Sequence, residues 1–121
     1  MDYPSELHFF MARGDLFYIP FGIYVDNELN SDGMDQIFFT VKKHYYNAQP
    51  IFQKTLESGI ESDGEGNYLI TILPEDTEAL EFGEYDFDIE VVKAPDIKKT
   101  FVGVLELTKE VTHRQNEGAG A

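Results

Sequence analysis

Leu73-Pro-Glu-Asp-Thr-Glu-Ala-Leu-Glu-Phe-Gly-Glu-Tyr-Asp-Phe-Asp-Ile-Glu-Val91 combines a chain reversal with the most regular strand pattern of the sequence. Pro74 has no N–H to give to a β-ladder, so a strand ends there, and the acidic residues after it predict a turn or a single helical turn. Gly83 allows a backbone conformation that other residues resist. From Tyr85 to Val91, apolar and acidic residues alternate strictly, which predicts a half-buried strand with one apolar and one anionic face.

The order of an acidic turn, a glycine and a tyrosine near the start of a strand resembles the tyrosine corner of immunoglobulin-like sandwiches. Asp76, Leu80, Gly83 and Tyr85 form this predicted structural corner. Phe87 stands two residues after the tyrosine, where immunoglobulin domains carry a cysteine. We therefore expect an all-β fold: an immunoglobulin-like antiparallel β-sandwich of about seven strands, without a disulfide.

The rest of the chain agrees with this fold class, because no segment longer than a turn shows the 3.6-residue period of a helix. Alternation predicts further strands at residues 7–11, 16–25, 36–43, 51–56, 68–73 and 100–111. Pro20 predicts an edge position or a bulge in the second strand, and Gly103 predicts a bulge or a close approach between sheets in the last one. Residues 57–67 are interpreted as a hairpin connection, and residues 93–99 as a turn that carries three lysines.

Three short motifs are interpreted as turns. Arg13, Gly14 and Asp15 form a structural turn after the first strand, and an adhesive role for this tripeptide is rejected because nothing indicates secretion. The loop at residues 26–35 resembles the front half of a calcium-binding loop, but the twelfth position is Phe39 instead of a glutamate. The glycines at residues 63–67 lack the lysine and the helix of a phosphate-binding loop.

A chain of 121 residues, 42% of them hydrophobic, suits one compact domain. We divide it into an N-terminal tail at residues 1–6, a sandwich at residues 7–112 and a flexible C-terminal tail at residues 113–121. The chain has no cysteine, which fits a protein made in a reducing cytoplasm. No stretch has the pattern of a secretory signal or a membrane span.

The charge balance excludes several classes of partner. Asp and Glu number 23 against nine Lys and Arg, for a formal net charge of −14. Phosphate binding needs clustered cations, so nucleic acid is not an expected partner, and anionic lipid would be repelled. The acidity is interpreted first as a means of keeping a β-rich surface soluble, and second as an acidic binding face.

No catalytic, cofactor-binding or metal-binding residue is assigned, and we expect a protein that is not an enzyme and needs no cofactor. The three histidines, at positions 8, 44 and 113, lie in different segments without helical pairing, so they predict no metal site. Asp86 and Asp88 could form a carboxylate pair, but such pairs arise by chance on an acidic chain. Together with Glu90 they are interpreted as a solvated or partner-facing edge.

Four tyrosines are candidates for contact with a partner, because exposed tyrosine suits interfaces. They are Tyr18, Tyr24, Tyr45 and Tyr46. Periodicity alone leaves open a second interpretation, in which they pack in the core or at the ends of the sandwich.

A further resemblance covers the chain from about residue 9 to residue 112. The sequence resembles small immunoglobulin-like proteins of tailed phages and prophages of Gram-positive bacteria, related to the N-terminal domain of the phage baseplate upper protein family. The residues that carry it are Arg13 to Asp15, Ile37 to Lys43, Pro50 to Leu56, Pro74 to Thr77, Leu80, Gly83, Tyr85, Thr100, Gly103 and Glu110 to Thr112. We expect one free domain that lacks the long C-terminal extension of full baseplate upper proteins.

This resemblance implies a non-enzymatic structural module of a phage or prophage tail or baseplate, made in the cytoplasm of a bacterial host and located in the virion. Its partners would be other phage structural proteins or further copies of itself. The alternative is a module that binds carbohydrate or a host surface, with the four tyrosines as a stacking platform beside carboxylates. A calcium-dependent adhesion domain is a third hypothesis.

Overall fold

The computed structural model describes residues 7–25, 27–29, 33–95 and 97–109. The elements are β1 (Leu7–Ala12), β2 (Phe17–Gly22), β3 (Tyr24–Val25), β4 (Glu28–Leu29), β5 (Gln36–Lys42), β6 (Phe52–Thr55), β7 (Ile60–Ser62), β8 (Asn67–Ile72), α1 (Pro74–Thr77), β9 (Gly83–Lys93) and β10 (Ile97–Thr108). None of the described helices is long and apolar enough to cross a membrane. The predicted tails at residues 1–6 and 113–121, and the end of the predicted sandwich, lie outside the described residues.

The chain folds into an all-β sandwich, as predicted. One sheet has five strands in the order β1-β10-β9-β5-β6, and the other has three in the order β2-β8-β7. Strand β1 runs parallel to β10, and all the other pairs of neighbours are antiparallel. Strands β3 and β4 form a separate small hairpin.

The core lies between the two sheets and takes one residue in two from each long strand. On β9 it receives Tyr85, Phe87, Ile89 and Val91, so the apolar face predicted for this strand is confirmed. The facing sheet contributes the even-numbered residues of β8, which are also buried. Phe87, which stands where the resemblance predicts a cysteine, packs against the ring of Phe39 on the neighbouring strand β5, with ring centroids 5.3 Å apart. Both rings belong to the same sheet, so this contact does not join the two sheets as an immunoglobulin disulfide does.

Short hydrogen bonds connect residues of the predicted corner to their neighbours in the chain. The hydroxyl of Tyr85 donates a hydrogen bond to the carbonyl oxygen of Glu81 at 2.7 Å. Gly83 has a φ of 125°, which only glycine adopts readily. A carboxylate oxygen of Asp76 accepts a hydrogen bond from the backbone N–H of Leu73 at 2.7 Å, which fixes the start of α1.

The turn at residues 13–15 packs directly onto this corner. The N–H of Gly14 donates to the hydroxyl of Thr77, a fully buried residue of α1, at 2.8 Å. The guanidinium of Arg13 donates to the carbonyl of Leu80 and lies 4.2 Å above the ring centroid of Phe82. The tripeptide is therefore a structural turn that joins the start of the chain to the corner.

The structure corrects four of the predicted segments, and one of these is the loop predicted at residues 26–35, which contains β4. The second strand is interrupted after Gly22, so that β2 and β3 replace one strand at residues 16–25; Pro20 does lie on an edge strand. Residues 57–67 contain a strand, β7, whose Ile60 is buried; three residues are too few to show alternation. The last strand begins at Ile97, so Lys98 and Lys99 lie in β10 and not in a turn.

Gly103 lies at a close approach, but within one sheet and not between the two sheets as predicted. A Cβ at this position would lie 2.4 Å from the carbonyl oxygen of Leu7 on β1 and 2.6 Å from the ring of Phe87. The contact lies within the five-stranded sheet, where β1 begins to pair with β10.

Candidate functional site

The outer face of the five-stranded sheet is the surface on which polar and apolar side chains of several strands converge. It is formed by the residues of β1, β5, β9 and β10 that alternate with the buried ones. We call it the outer face. Its members include His8, Phe10, Phe38, Thr40, Lys42, Glu84, Asp86, Asp88, Glu90, Val102, Val104 and Glu106.

A row of three carboxylates, Asp86, Asp88 and Glu90, runs along the middle of the outer face. Strand β9, which carries them, is the central strand of the sheet, so the prediction that they form an edge is wrong. All three side chains are half-buried. The alternation in the sequence predicts that the three side chains share a face. It does not predict the position of their strand in the sheet, because that position depends on pairing with β5 and β10.

Asp88 is the most perturbed member of the row. Burial raises the pKa of its carboxyl above the ordinary value of 3.8, and the negative charge of Glu90 raises it further. The ammonium group of Lys42 acts in the opposite direction but does not outweigh them. The surroundings of Asp88 therefore disfavour its ionised form. A partner that brings positive charge to the outer face would stabilise that form.

Two concave regions meet at this carboxylate. The first has a volume of about 250 Å³, and the second, which is more open, has a volume of about 430 Å³. Thr40, Lys42 and Asp88 line both of them. The first is completed by Tyr45, Asp86, Phe87, Val102 and Gly103, and the second by Phe38, Ala48, Pro50, Gln53 and Glu90. Together they form a groove across the outer face.

The loop between β5 and β6 forms one wall of this groove. The backbone N–H of Tyr45 donates to a carboxylate oxygen of Asp86 at 2.8 Å, so the acidic row also positions the loop. Tyr45 and Tyr46 are 78% and 69% exposed, and their rings meet edge to face with centroids 5.4 Å apart. Tyr46 stacks on the ring of His44 at 5.1 Å. These exposed rings lie beside the groove.

The other two candidate tyrosines lie elsewhere. Tyr18 is on the outer side of β2 in the three-stranded sheet, and Tyr24 is in the small hairpin of β3 and β4. Both are at least half exposed. The four tyrosines therefore do not form one platform, because they belong to different sheets. Their exposure excludes core packing, and their role as contacts stays a prediction.

A second group of polar side chains lies at another part of the outer face. One ligating atom from each of His8, Glu84 and Glu106 can be chosen so that all three atoms lie within 4.8 Å of one another. The Nε2 atom of His8 is 3.1 Å from a carboxylate oxygen of Glu106. The sequence did not predict this group, because its members lie on three different strands and come together only through strand register.

At the corner, a largely buried carboxylate is paired with a lysine of the same chain. The Nζ atom of Lys54 is 2.7 Å from a carboxylate oxygen of Asp76, and both side chains are largely buried. The stem of Lys54 packs against Gly59, where a Cβ would lie only 2.5 Å from it. This pair stabilises the scaffold and does not belong to the outer face.

Comparison with known proteins adds no further constraint on function. The sequence matches no protein-family model, and no curated protein is significantly similar to it. The site must therefore be interpreted from its own geometry.

Proposed function

We propose that this chain is a non-enzymatic interaction module that docks to another protein subunit through the groove of its outer face. Following the resemblance in its sequence, we propose that the assembly is a phage or prophage tail or baseplate and that the chain is located in the virion. The observation that carries the docking proposal is the pair of concave regions that meet at the half-buried carboxylate of Asp88.

The chemistry of the groove defines the partner. Three half-buried carboxylates lie along its floor, while Val102 and Tyr45 expose apolar surface beside them. A surface that carries lysine or arginine among apolar side chains would neutralise the row and cover the apolar residues. An arginine suits this position best, because its planar group can contact two carboxylate oxygens at once.

Charge argues that the partner is a different subunit and not a second copy. Each copy has a net charge of −14, and two outer faces brought together would place their carboxylate rows against each other. Like charges across an interface cost several kcal/mol in general. We therefore propose a basic subunit of the same particle as the occupant, and self-association through this face is an outcome that the test must detect.

The test measures binding of the purified chain to purified subunits encoded by neighbouring genes, by calorimetry at low and high salt. The double variant Asp86→Asn and Asp88→Asn should weaken binding about tenfold or more, and should reduce its salt dependence. The matched control is Glu61→Gln with Glu78→Gln, which removes two exposed charges outside the outer face. The proposal would be refuted if both double variants lost affinity equally, or if the chain bound no such subunit. It would also be refuted if the parent chain dimerised and the Asp86→Asn, Asp88→Asn variant did not.

Carbohydrate binding is the second candidate, and the second concave region favours it. Thr40, Gln53 and Glu90 offer hydroxyl, amide and carboxylate groups beside the aromatic ring of Phe38. Sugars are bound by such polar groups next to an aromatic face. A glycan array separates the two candidates: binding of a glycan that is lost in Gln53→Ala but kept in Glu61→Gln would favour carbohydrate, and no binding would remove this candidate.

A further inference from the structure

We infer that His8, Glu84 and Glu106 form a binding site for a divalent transition metal ion of the zinc type. The three residues come from β1, β9 and β10, which are neighbours in the five-stranded sheet. Their side chains share the outer face, and one ligating atom from each lies within 4.8 Å of the other two. The site is separate from the groove, since none of the three residues lines it.

The strand register explains why these side chains meet. Glu106 of β10 is the direct cross-strand partner of Glu84 of β9 and also lies beside Phe10 of β1. Two carboxylates directly opposite each other in an antiparallel pair repel and weaken the pairing. A divalent cation between the two carboxylates would remove this repulsion.

The donor set selects the kind of metal. One imidazole nitrogen with two carboxylate oxygens suits zinc, while calcium and magnesium prefer oxygen ligands alone. Bond lengths of about 2.0–2.1 Å at a tetrahedral ion place neighbouring ligand atoms about 3.3 Å apart. The 3.1 Å between Nε2 of His8 and the oxygen of Glu106 is close to that separation. A rotation of the exposed side chain of Glu84 would complete three ligands and leave a fourth position open.

The histidine is held in place before any metal binds. Its ring stacks on that of Phe10, with centroids 4.4 Å apart and planes 10° from parallel. This stacking orients the ring while Nε2 lies at the carboxylate of Glu106. The metal would take the place of the hydrogen bond between the two side chains. A fixed ring loses little rotational freedom on binding, which favours affinity.

The test is calorimetric titration of the chelator-treated chain with zinc chloride and, separately, with calcium chloride. We expect each chain to bind one equivalent of zinc. The affinity for zinc should fall by about tenfold or more in His8→Gln and in Glu106→Gln. The control is His44→Gln, because His44 lies on the loop between β5 and β6, away from these carboxylates. Cobalt(II) in place of zinc should give visible absorption bands that His8→Gln removes.

Three results would overturn the inference. The first is a chain that takes up no stoichiometric zinc. The second is zinc binding that persists in His8→Gln and is lost in His44→Gln. The third is a response to calcium that equals the response to zinc and is insensitive to His8. Because His8 is exposed, its replacement should leave the fold intact, and a far-ultraviolet circular dichroism spectrum of each variant verifies this.

Discussion

The corner around α1 and the outer face of the five-stranded sheet both carry carboxylates that are partly withdrawn from water. The groups around these carboxylates differ between the two regions. At the corner, Asp76 meets the ammonium of Lys54 at 2.7 Å and the N–H of Leu73 at the same distance. On the outer face, Asp88 lies beside Glu90, and its pKa is raised by burial and by that neighbour. The pairing of Asp76 stabilises the fold, whereas the surroundings of Asp88 disfavour its ionised form.

This difference separates scaffold from candidate site. Groups buried to hold a fold together are matched by partners within the same chain, because an unmatched buried charge costs several kcal/mol. A surface intended for another molecule keeps part of its charge unmatched until the partner arrives. By this criterion the corner belongs to the scaffold, and the row at the groove is the candidate for the proposed interface.

The largest expected effect comes from breaking the corner pair. In Lys54→Met, the carboxylate of Asp76 loses its cation while it remains largely buried. We expect the free energy of unfolding to fall by about 3 kcal/mol, measured by urea denaturation. The double variant Lys54→Met with Asp76→Asn should lose less than the sum of the single variants, because no unpaired charge remains. A loss in Lys54→Met no greater than in Lys42→Met would contradict the distinction between the two regions.

A smaller effect is expected from the tyrosine of the corner. Tyr85→Phe removes the hydroxyl that donates to the carbonyl of Glu81 at 2.7 Å and leaves the buried ring in place. The free energy of unfolding should fall by about 1 kcal/mol, the usual contribution of one hydrogen bond. The same denaturation experiment measures it, with Tyr18→Phe as a control whose hydroxyl lies on an exposed side chain. An equal loss in both variants would mean that the corner bond contributes nothing specific.

The corner could be predicted from the sequence because its signals are local. Gly83, Tyr85 and the strict alternation to Val91 lie within one short stretch, and each has a physical meaning that does not depend on the rest of the chain. At Gly103 the sequence indicated a bulge or a close approach, because a glycine inside a strand needs such a reason, but the approach lies within one sheet and not between the two.

The site was harder to predict because it depends on distant pairing. Alternation shows that Asp88 faces away from the core, but only the strand order places β9 in the centre of its sheet. The cluster of His8 with Glu106 joins residues 98 positions apart, through a register that no local pattern encodes. The partner of Lys54 was missed for the same reason, and β7 was missed because it is three residues long.

The smallest effect is also the sharpest test of the comparison, because it predicts opposite signs at two carboxylates. The raised pKa of Asp88 means that its stabilising contribution is complete below about pH 3.8 and is lost as the pH rises through the raised pKa. Asp88→Asn should therefore gain stability relative to the parent between pH 4 and pH 7, by no more than about 0.5 kcal/mol since the group is half exposed.

Asp63, in the hairpin between β7 and β8, is the matched carboxylate. Hydrogen bonds from the side chain of Asn67 and from the backbone N–H of Glu65 lower the pKa of Asp63. Its contribution is present above pH 3.8 and is lost as the pH falls through the lowered value. Asp63→Asn should thus be less stable than the parent at pH 7, and the deficit should shrink as the pH falls. Urea denaturation of the parent and of both variants from pH 3 to pH 7 measures how each stability difference changes with pH. Changes of the same sign would mean that the outer face disfavours ionisation of Asp88 no more than an ordinary loop disfavours that of Asp63.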